Sequence, residues 1–417
     1  MMNEISENGE SDSSVIPGWL TSVRIFLCSV FATTGLYFFR DGNFWIEVAF
    51  ILSAATSISV LISEACDPFA DAAQWVGIQL RWPSSVRGAT LDAIASSMPE
   101  LFTGLFFVSV ALTSSQDSAQ QALDSAEGYG STIATCAGSS IYNLILIPAV
   151  CAIAVSYCRR EKPYIEISKE VVNRDGMWVI VTQFGLLAFL FQPKLHWWMG
   201  LVALMAYAVY VGHLYLATRK YRVQLNQGQI TTAEAGGTAS LFFGRFEIGL
   251  TSFTATMIII VATLVAAFAC YLLVELTNES AKTLGVAPFF VAVILTAAVS
   301  SIPDTFMSLG SATRGDDSGA VSNVFGSNIF DICIGMSIPL IVSCYLNDWQ
   351  PVQLTEENGE TFRGVFGLRI FLFGLTVTAM LMMWKMGRIT RKTGWFFCFL
   401  YAIFFGYAIF GALGFDV

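Results

Sequence analysis

Residues 95–102 read ASSMPELF and residues 299–306 read VSSIPDTF, each a Ser-Ser pair followed by a Pro-carboxylate inside an otherwise apolar run. A carboxylate in a bilayer core costs roughly 2.5 to 3.5 kcal/mol even on lenient insertion scales. Two of them at matched places half a chain apart therefore need a purpose, and handling cations is the direct one.

Composition supports the membrane reading. The chain has 417 residues, 55% of them hydrophobic and only 13% charged, against about 25% charged in ordinary soluble proteins. Eleven apolar stretches approach the ~20 residues that span a bilayer: 22–39, 44–66, 87–112, 130–157, 176–192, 196–217, 247–276, 286–312, 319–345, 366–385 and 393–413. Residues 1–21 form a polar tail that is expected to be disordered. Residues 22–40 are read as an extra N-terminal helix. A secretory signal is disfavoured because Glu4, Glu7, Glu10 and Asp12 precede it, with no Lys or Arg before Arg24.

Basic residues set the expected topology. If the helices alternate, 17 of the 22 Lys and Arg fall on one side, Arg159, Arg160, Arg219 and Arg388 among them. The positive-inside rule makes that side cytoplasmic, together with the 218–245 loop, and leaves the C-terminus on the other side. Outer loops are acidic instead, with Asp117, Asp124 and Glu127 in one and Asp348, Glu356, Glu357 and Glu360 in another. They are expected to be solvated, with cation attraction as the alternative. The nine cysteines form no CxxC pair and fall within or beside apolar spans, so they read as small buried hydrophobes. His196 and His213 are too isolated for a histidine metal site.

An internal repeat connects these features. A second matched stretch begins 37 residues after Glu100 and 21 after Asp304, AGSSIYNLI (137–145) and FGSNIFDIC (325–333). The first elements are offset by 204 residues and the second by 188; the difference of 16 fits the polar insert TSSQDSAQQALDSAEGYG (113–130). Each half then holds five helices, in 44–217 and 246–413. An odd number forces the second half to enter the membrane in the opposite sense. The expected fold is an all-α polytopic membrane protein of two inverted five-helix repeats, with binding near the midplane where they meet.

Helical spacing assembles a site there. Ser96 and Ser97 share a face with Glu100, as Ser300 and Ser301 do with Asp304; Ser139 and Asn143 are four apart, as are Ser327 and Asp331. Pro99 and Pro303 each remove a backbone donor and loosen the preceding turn. Gly138 and Gly326 permit close helix approach. The donor set, three carboxylates with an amide and hydroxyls, is all oxygen, which suits calcium, sodium or potassium and argues against zinc or copper. Three unpaired charges are untenable in a low-dielectric cavity, so bound cations or protons must meet them.

These residues resemble the cation/calcium exchangers with two alpha-repeats, whose motifs read approximately G-T-S-x-P-E/D and G-S-N-x-F-N/D. Here they appear as ASSMPE with GSSIYN and VSSIPD with GSNIFD. The run EACDPFADAAQWVGIQL (64–80) leading into RGATLDAIASSMPELFTG (87–104) is similar to the potassium-dependent sodium/calcium exchangers. The resemblance implies alternating-access antiport of calcium against sodium, with potassium as a possible companion ion. Glu100 and Asp304 would be the central ligands, Ser96, Ser97, Ser300 and Ser301 adjacent donors, and Ser139, Asn143, Ser327 and Asp331 flanking ones. It also implies that helices 44–66 and 247–276 slide. An Asp at position 331 accompanies potassium dependence in that subfamily and also occurs outside it.

Departures are confined to a few positions. Ala95-Ser96 and Val299-Ser300 replace the usual Gly-Thr, and Asp92 stands where relatives mostly carry an apolar residue. Asp92 points away from Glu100, which suits snorkelling or an access path. Calcium/proton exchange is the alternative within the class. A channel and an intramembrane aspartyl protease fit less well, because the acids sit in a coordination-like shell of Ser and Asn. No phosphate loop, Ser-His pair or basic nucleic-acid patch is present, and no cofactor is implied; the partners are the lipid bilayer and inorganic cations.

Overall fold

The computed structural model describes residues 18–40, 42–113, 118–226, 237–354 and 364–414. The polar start to residue 17, Asp117, and Glu356, Glu357 and Glu360 of the acidic loop lie outside the described residues. Among the described residues, α-helix and short π-helical turns join into eleven rods. In the order of the chain these are α1 (Gly18–Phe38), α2 (Phe44–Gln79), α3 (84–113), α4 (118–158), α5 (169–190), α6 (Trp197–Asn226), α7 (Ser252–Leu284), α8 (Pro288–Thr313), α9 (Asp317–Leu346), α10 (Val365–Met386) and α11 (Arg391–Ala412). Nine are long and apolar enough to cross a membrane. The other two are α1, which is shorter, and α5, whose opening turns bury Arg174 against Asp175.

Several rods outrun the apolar stretches that announce them. Hydropathy ends the second span near residue 66, yet α2 continues to Gln79 through Glu64, Asp67 and Asp71. Those acids face a cavity, so the helix pays no lipid penalty for them. From Ser118 onward the polar insert is likewise helical: Ser118–Ile141 is unbroken, placing Asp124 and Glu127 on a helix where a loop was expected. Its Ala-, Gln- and Leu-rich run favours helix, and its inner face packs on α9, where Tyr129 OH donates to the Met336 carbonyl (3.2 Å) and Ser125 and Ser343 hydroxyls meet at 2.9 Å. The 218–245 connection opens as a continuation of α6 and closes with the β-hairpin Thr238–Leu241/Phe246–Gly249.

The two five-helix sets, α2–α6 and α7–α11, repeat in detail. A π-helical turn at Gly88–Asp92 recurs at Ala292–Thr296, and one at Tyr142–Leu146 recurs at Asp331–Gly335. Gly138 lies so close to α8 that an added Cβ would sit 2.8 Å from the Ala297 Cβ; at Gly326 it would sit 2.6 Å from the Ala89 carbonyl oxygen of α3. The connections pair crosswise as well. Tyr164–Glu166, between α4 and α5, pairs with Arg388–Thr390, between α10 and α11. Lys194–Leu195, between α5 and α6, pairs with Val352–Gln353, between α9 and α10. Because the third connection of one repeat meets the fourth of the other at both rims, the repeats run oppositely.

α1 docks on α2 through hydroxyls, Ser57 to Ser29 (2.9 Å) and Thr33 to Ser53 (3.0 Å). Its outer face, with Phe31 82% exposed, is what lipid would cover. At the start of α9, Asp316 accepts the Gly319 N–H (2.8 Å) as an N-cap, and Asp317 pairs with Arg159 (2.8 Å). His213 accepts from Trp178 Nε1 (3.1 Å), and His196 stacks on Trp198. All nine cysteines are free thiols.

Candidate cation site

The site forms where the two repeats' Ser- and acid-bearing turns cross. In α8 the helix breaks at Ser301 (φ −85°, ψ 2°), and Pro303 opens the next segment, where its missing N–H costs nothing. The first copy differs, because Pro99 lies inside the continuous helix Ala93–Thr113. Side-chain hydroxyls occupy the carbonyls around it, with Ser96 Oγ donating to Asp92 O (2.9 Å) and Thr103 Oγ1 to Pro99 O (2.8 Å). In the second copy Ser300 reaches Ala297 O at 3.3 Å and Thr305 Oγ1 reaches Ser301 O at 3.1 Å, yet the helix breaks at Ser301. The loosened turn expected in both copies is therefore open in one.

All ten sequence-derived residues are fully buried: Ser96, Ser97, Glu100, Ser139, Asn143, Ser300, Ser301, Asp304, Ser327 and Asp331. Ser139 is the hub. Its Oγ lies 3.0 Å from Glu100 Oε1, 2.9 Å from Asp331 Oδ2 and 2.8 Å from the Ser301 hydroxyl. The contact of Glu100 with Ser139 has its counterpart in Asp304 with Ser327 (2.6 Å). Asn143 Nδ2 then bridges Asp304 Oδ2 (3.2 Å) and Asp331 Oδ2 (3.4 Å). Ser96 joins through Ser327 (3.4 Å). Ser300 Oγ donates within its own helix and lies beside Glu100, and Ser97 Oγ, which has no hydrogen-bond partner within 3.5 Å, lies beside Asp331.

The array has fewer protons than acceptors. One Ser139 hydroxyl proton cannot serve Glu100 and Asp331 together. Glu100 Oε2, Asp331 Oδ1, Asn143 Oδ1 and Ser97 Oγ are buried without any hydrogen-bond partner. An unsatisfied buried acceptor costs about 1 to 3 kcal/mol, more if charged. Every orphan here is an oxygen able to ligate a hard cation. Among the described residues no three acidic, His or Cys side chains cluster tightly enough to hold a metal by themselves. A cation bound in this array would need Ser and Asn oxygens beside the carboxylates.

A second polar layer escaped the sequence reading. Ser140 donates to Asn328 Oδ1, and Gln183 Nε2 reaches Asn328 Oδ1 at 3.3 Å and also bonds Ser140. Ser140 and Asn328 occupy the same place in GSS and GSN, so their contact lies where the two-fold passes. Gln183 is a single polar residue in an apolar run with no repeat partner, which left no signal beyond its isolation.

Two cavities approach from opposite faces. The larger, about 800 Å³, opens on the face that carries the hairpin and runs inward to Val299 and Ile302, beside Ser300 and Ser301. The smaller, about 460 Å³, lies between the ends of α3 and α7 and the starts of α4 and α8. None of the three site carboxylates lines either cavity.

A family model described as sodium/calcium exchanger protein matches residues 48–216 and 254–410, which are the two five-helix sets. The chain belongs to that family. Among curated relatives, this exchanger-family chain is 32% identical over 145 residues to sodium/potassium/calcium exchanger 1 of Gallus gallus, covering 35% of the chain and 20% of the relative. It is 33% identical over 152 residues to sodium/potassium/calcium exchanger 4 of Mus musculus, covering 36% and 24%. The matched segments thus span about a fifth to a quarter of the relatives' length. Among solved structures, the fold is similar to the H+/Ca2+ exchanger CAX (TM-score 0.62, 14% identity, 95% of this chain and 92% of that one). It is also similar to the sodium-calcium exchanger NCX_Mj (TM-score 0.53, 18% identity, 92% and 98%).

Proposed function

We propose that this chain is a secondary active antiporter exchanging calcium for sodium, with or without potassium, through Glu100, Asp304, Asn143 and Asp331 and their surrounding serines. The observation that carries the reading is the proton-poor array around Ser139, in which three buried carboxylates share hydroxyls and leave four oxygens orphaned. Calcium, or several sodium ions, would neutralise the same acids, and either load permits the carrier to switch. An empty ionised array resists switching because its charge stays uncompensated in a low-dielectric core. Competition for one site then enforces exchange over leak.

The basic face with the hairpin is proposed to be cytoplasmic and the C-terminus to lie opposite, from the excess of Lys and Arg on that side. Calcium/proton exchange is the second reading, favoured by the same shortage of protons around Ser139. The deciding experiment is calcium flux into proteoliposomes under sodium, potassium and pH gradients imposed separately, with the pH gradient collapsed in the sodium arm. Sodium-driven uptake that survives collapse supports the first reading. Flux driven only by pH replaces it with the second.

A further inference from the structure

Arg369 is a charge without a counter-charge. It lies in the second turn of α10, a helix long and apolar enough to cross the membrane, and is only 8% exposed. A guanidinium carries five N–H donors. Here one donates to the Leu190 carbonyl at the end of α5, Cζ lies over the Phe191 ring (4.9 Å from its centroid), and Nε is buried without a partner. Among the described residues the ion pairs engage Arg40, Arg159, Lys162 and Arg174, and no carboxylate reaches Arg369. The other buried arginine, Arg174, has Asp175 at 2.7 Å. A buried charge left unpaired is strongly destabilising, so an ionisable side chain at membrane depth calls for a partner.

The second observation is the groove that Arg369 lines. Its volume is about 500 Å³, it lies between α5 and α10, and its other walls are apolar. From α5 come Phe184, Leu187 and Ala188, and from α10 Phe366, Ile370 and Phe373. The deep end is closed by Phe184 and Phe373, whose rings meet edge to face at 5.6 Å. Seven residues separate Phe184 from Phe191 at the Arg369 end, so the groove runs about 10 Å along the helices. It opens sideways out of the bundle, with Phe366 58% and Ile370 56% exposed. The charged end sits at headgroup depth. Leu190 is four residues before the strand Lys194–Leu195, and Trp197 and Trp349, which flank that rim, pack at 5.8 Å in the manner of an interfacial aromatic belt.

We propose that Arg369 and this groove bind one phospholipid from the leaflet away from the hairpin, its phosphodiester on the guanidinium and one acyl chain along Ala188, Ile370 and Phe373. A planar guanidinium matches two phosphate oxygens at once, and the phosphate supplies the charge that the chain does not. A free anion in water would meet Arg369 alone and leave the length down to Phe184 unfilled, whereas a lipid tail covers it. Because α5 belongs to the first repeat and α10 to the second, the bound lipid bridges the repeats at the rim where their strands Lys194–Leu195 and Val352–Gln353 already pair. The site goes beyond the antiport reading and does not depend on it.

The test titrates the full chain, purified in mild detergent and stripped of lipid, with phosphatidylglycerol, read by native mass spectrometry and by melting temperature. One tightly held molecule per chain is expected, with a rise in melting temperature. Diacylglycerol of the same chains keeps the tails and glycerol 3-phosphate keeps the phosphate; each is expected to bind at least ten-fold more weakly. Arg369→Gln removes the charge. Ala188→Trp keeps it and fills the groove from an exposed position, where folding is least at risk. Both are expected to weaken phosphatidylglycerol at least ten-fold. Binding unchanged in either variant, or diacylglycerol binding as well as phosphatidylglycerol, overturns the proposal. Glycerol 3-phosphate binding as well as the lipid makes this a free-anion site and overturns the lipid assignment. Calcium flux enters neither readout, so failure of the antiport reading leaves the binding result intact.

Discussion

The exchange mechanism makes its sharpest demand at Asp331. Glu100 Oε1 and Asp331 Oδ2 flank one hydroxyl at 3.0 and 2.9 Å. The two carboxylates are thus no more than about 6 Å apart, and at an effective dielectric of ~20 their repulsion when ionised is roughly 3 kcal/mol. That repulsion belongs to the barrier against moving an empty carrier. Asp331→Asn removes it with little change of shape, since Asn143 already fills the corresponding place in the first repeat. The expected result is an empty-carrier return favoured on the order of 100-fold, because 1.4 kcal/mol is a factor of ten. Proteoliposomes loaded with radioactive calcium and diluted into N-methylglucamine medium without sodium, potassium or calcium report the leak, and the same vesicles diluted into sodium report exchange. The ratio of leak to exchange should rise by about that factor. A variant that still exchanges with the tightness of the parent protein refutes the argument.

Other outcomes follow from single contacts. Ser139→Ala deletes the hydroxyl shared by Glu100, Asp331 and Ser301; hydrogen bonds to charged groups are worth about 1.5 to 3 kcal/mol, so half-maximal calcium for uptake should rise roughly 10- to 150-fold. Gly326→Ala drives a methyl into the Ala89 backbone and should destabilise by about 1 to 3 kcal/mol, read as a lower melting temperature, whereas Gly212→Ala, with nothing within 4 Å, should not. Asp71→Ala frees the Ser240 N–H, and hydrogen exchange at that amide should accelerate about 10- to 100-fold while the α7 core amides keep their protection.

The sequence displays what two copies display twice. The Ser-Ser-x-Pro-acid and Gly-Ser-x-x-x-Asn/Asp patterns identified every residue of the array around Ser139, because a costly polar group repeated at a fixed offset has few structural excuses. Gly138 and Gly326 were legible for the same reason, and each seats one repeat against the other. Features that occur once or in fragments stayed hidden. Gln183 had no twin, and the cross-repeat strands span only two or three residues in polar connections, too short to show alternation. The true length of α2 was masked because hydropathy cannot tell acids facing a wet cavity from acids in a loop. Pro99 lies inside a continuous helix whereas the helix breaks before Pro303, and the shared motif spelling does not distinguish the two.

The crosswise strands have a mechanical consequence. Each rim of the bundle is buttoned by one antiparallel pair, Tyr164–Glu166 to Arg388–Thr390 at one edge and Lys194–Leu195 to Val352–Gln353 at the other. The buttons join α4, α5 and α6 to α9, α10 and α11, and leave α1, α2, α3, α7 and α8 outside. A body fastened at top and bottom behaves like a window frame, and the long α2 and α7, which no strand pair fastens, would be its sash. Cross-links laid over either button should therefore be harmless to turnover, while a cross-link from α2 to the frame should jam it.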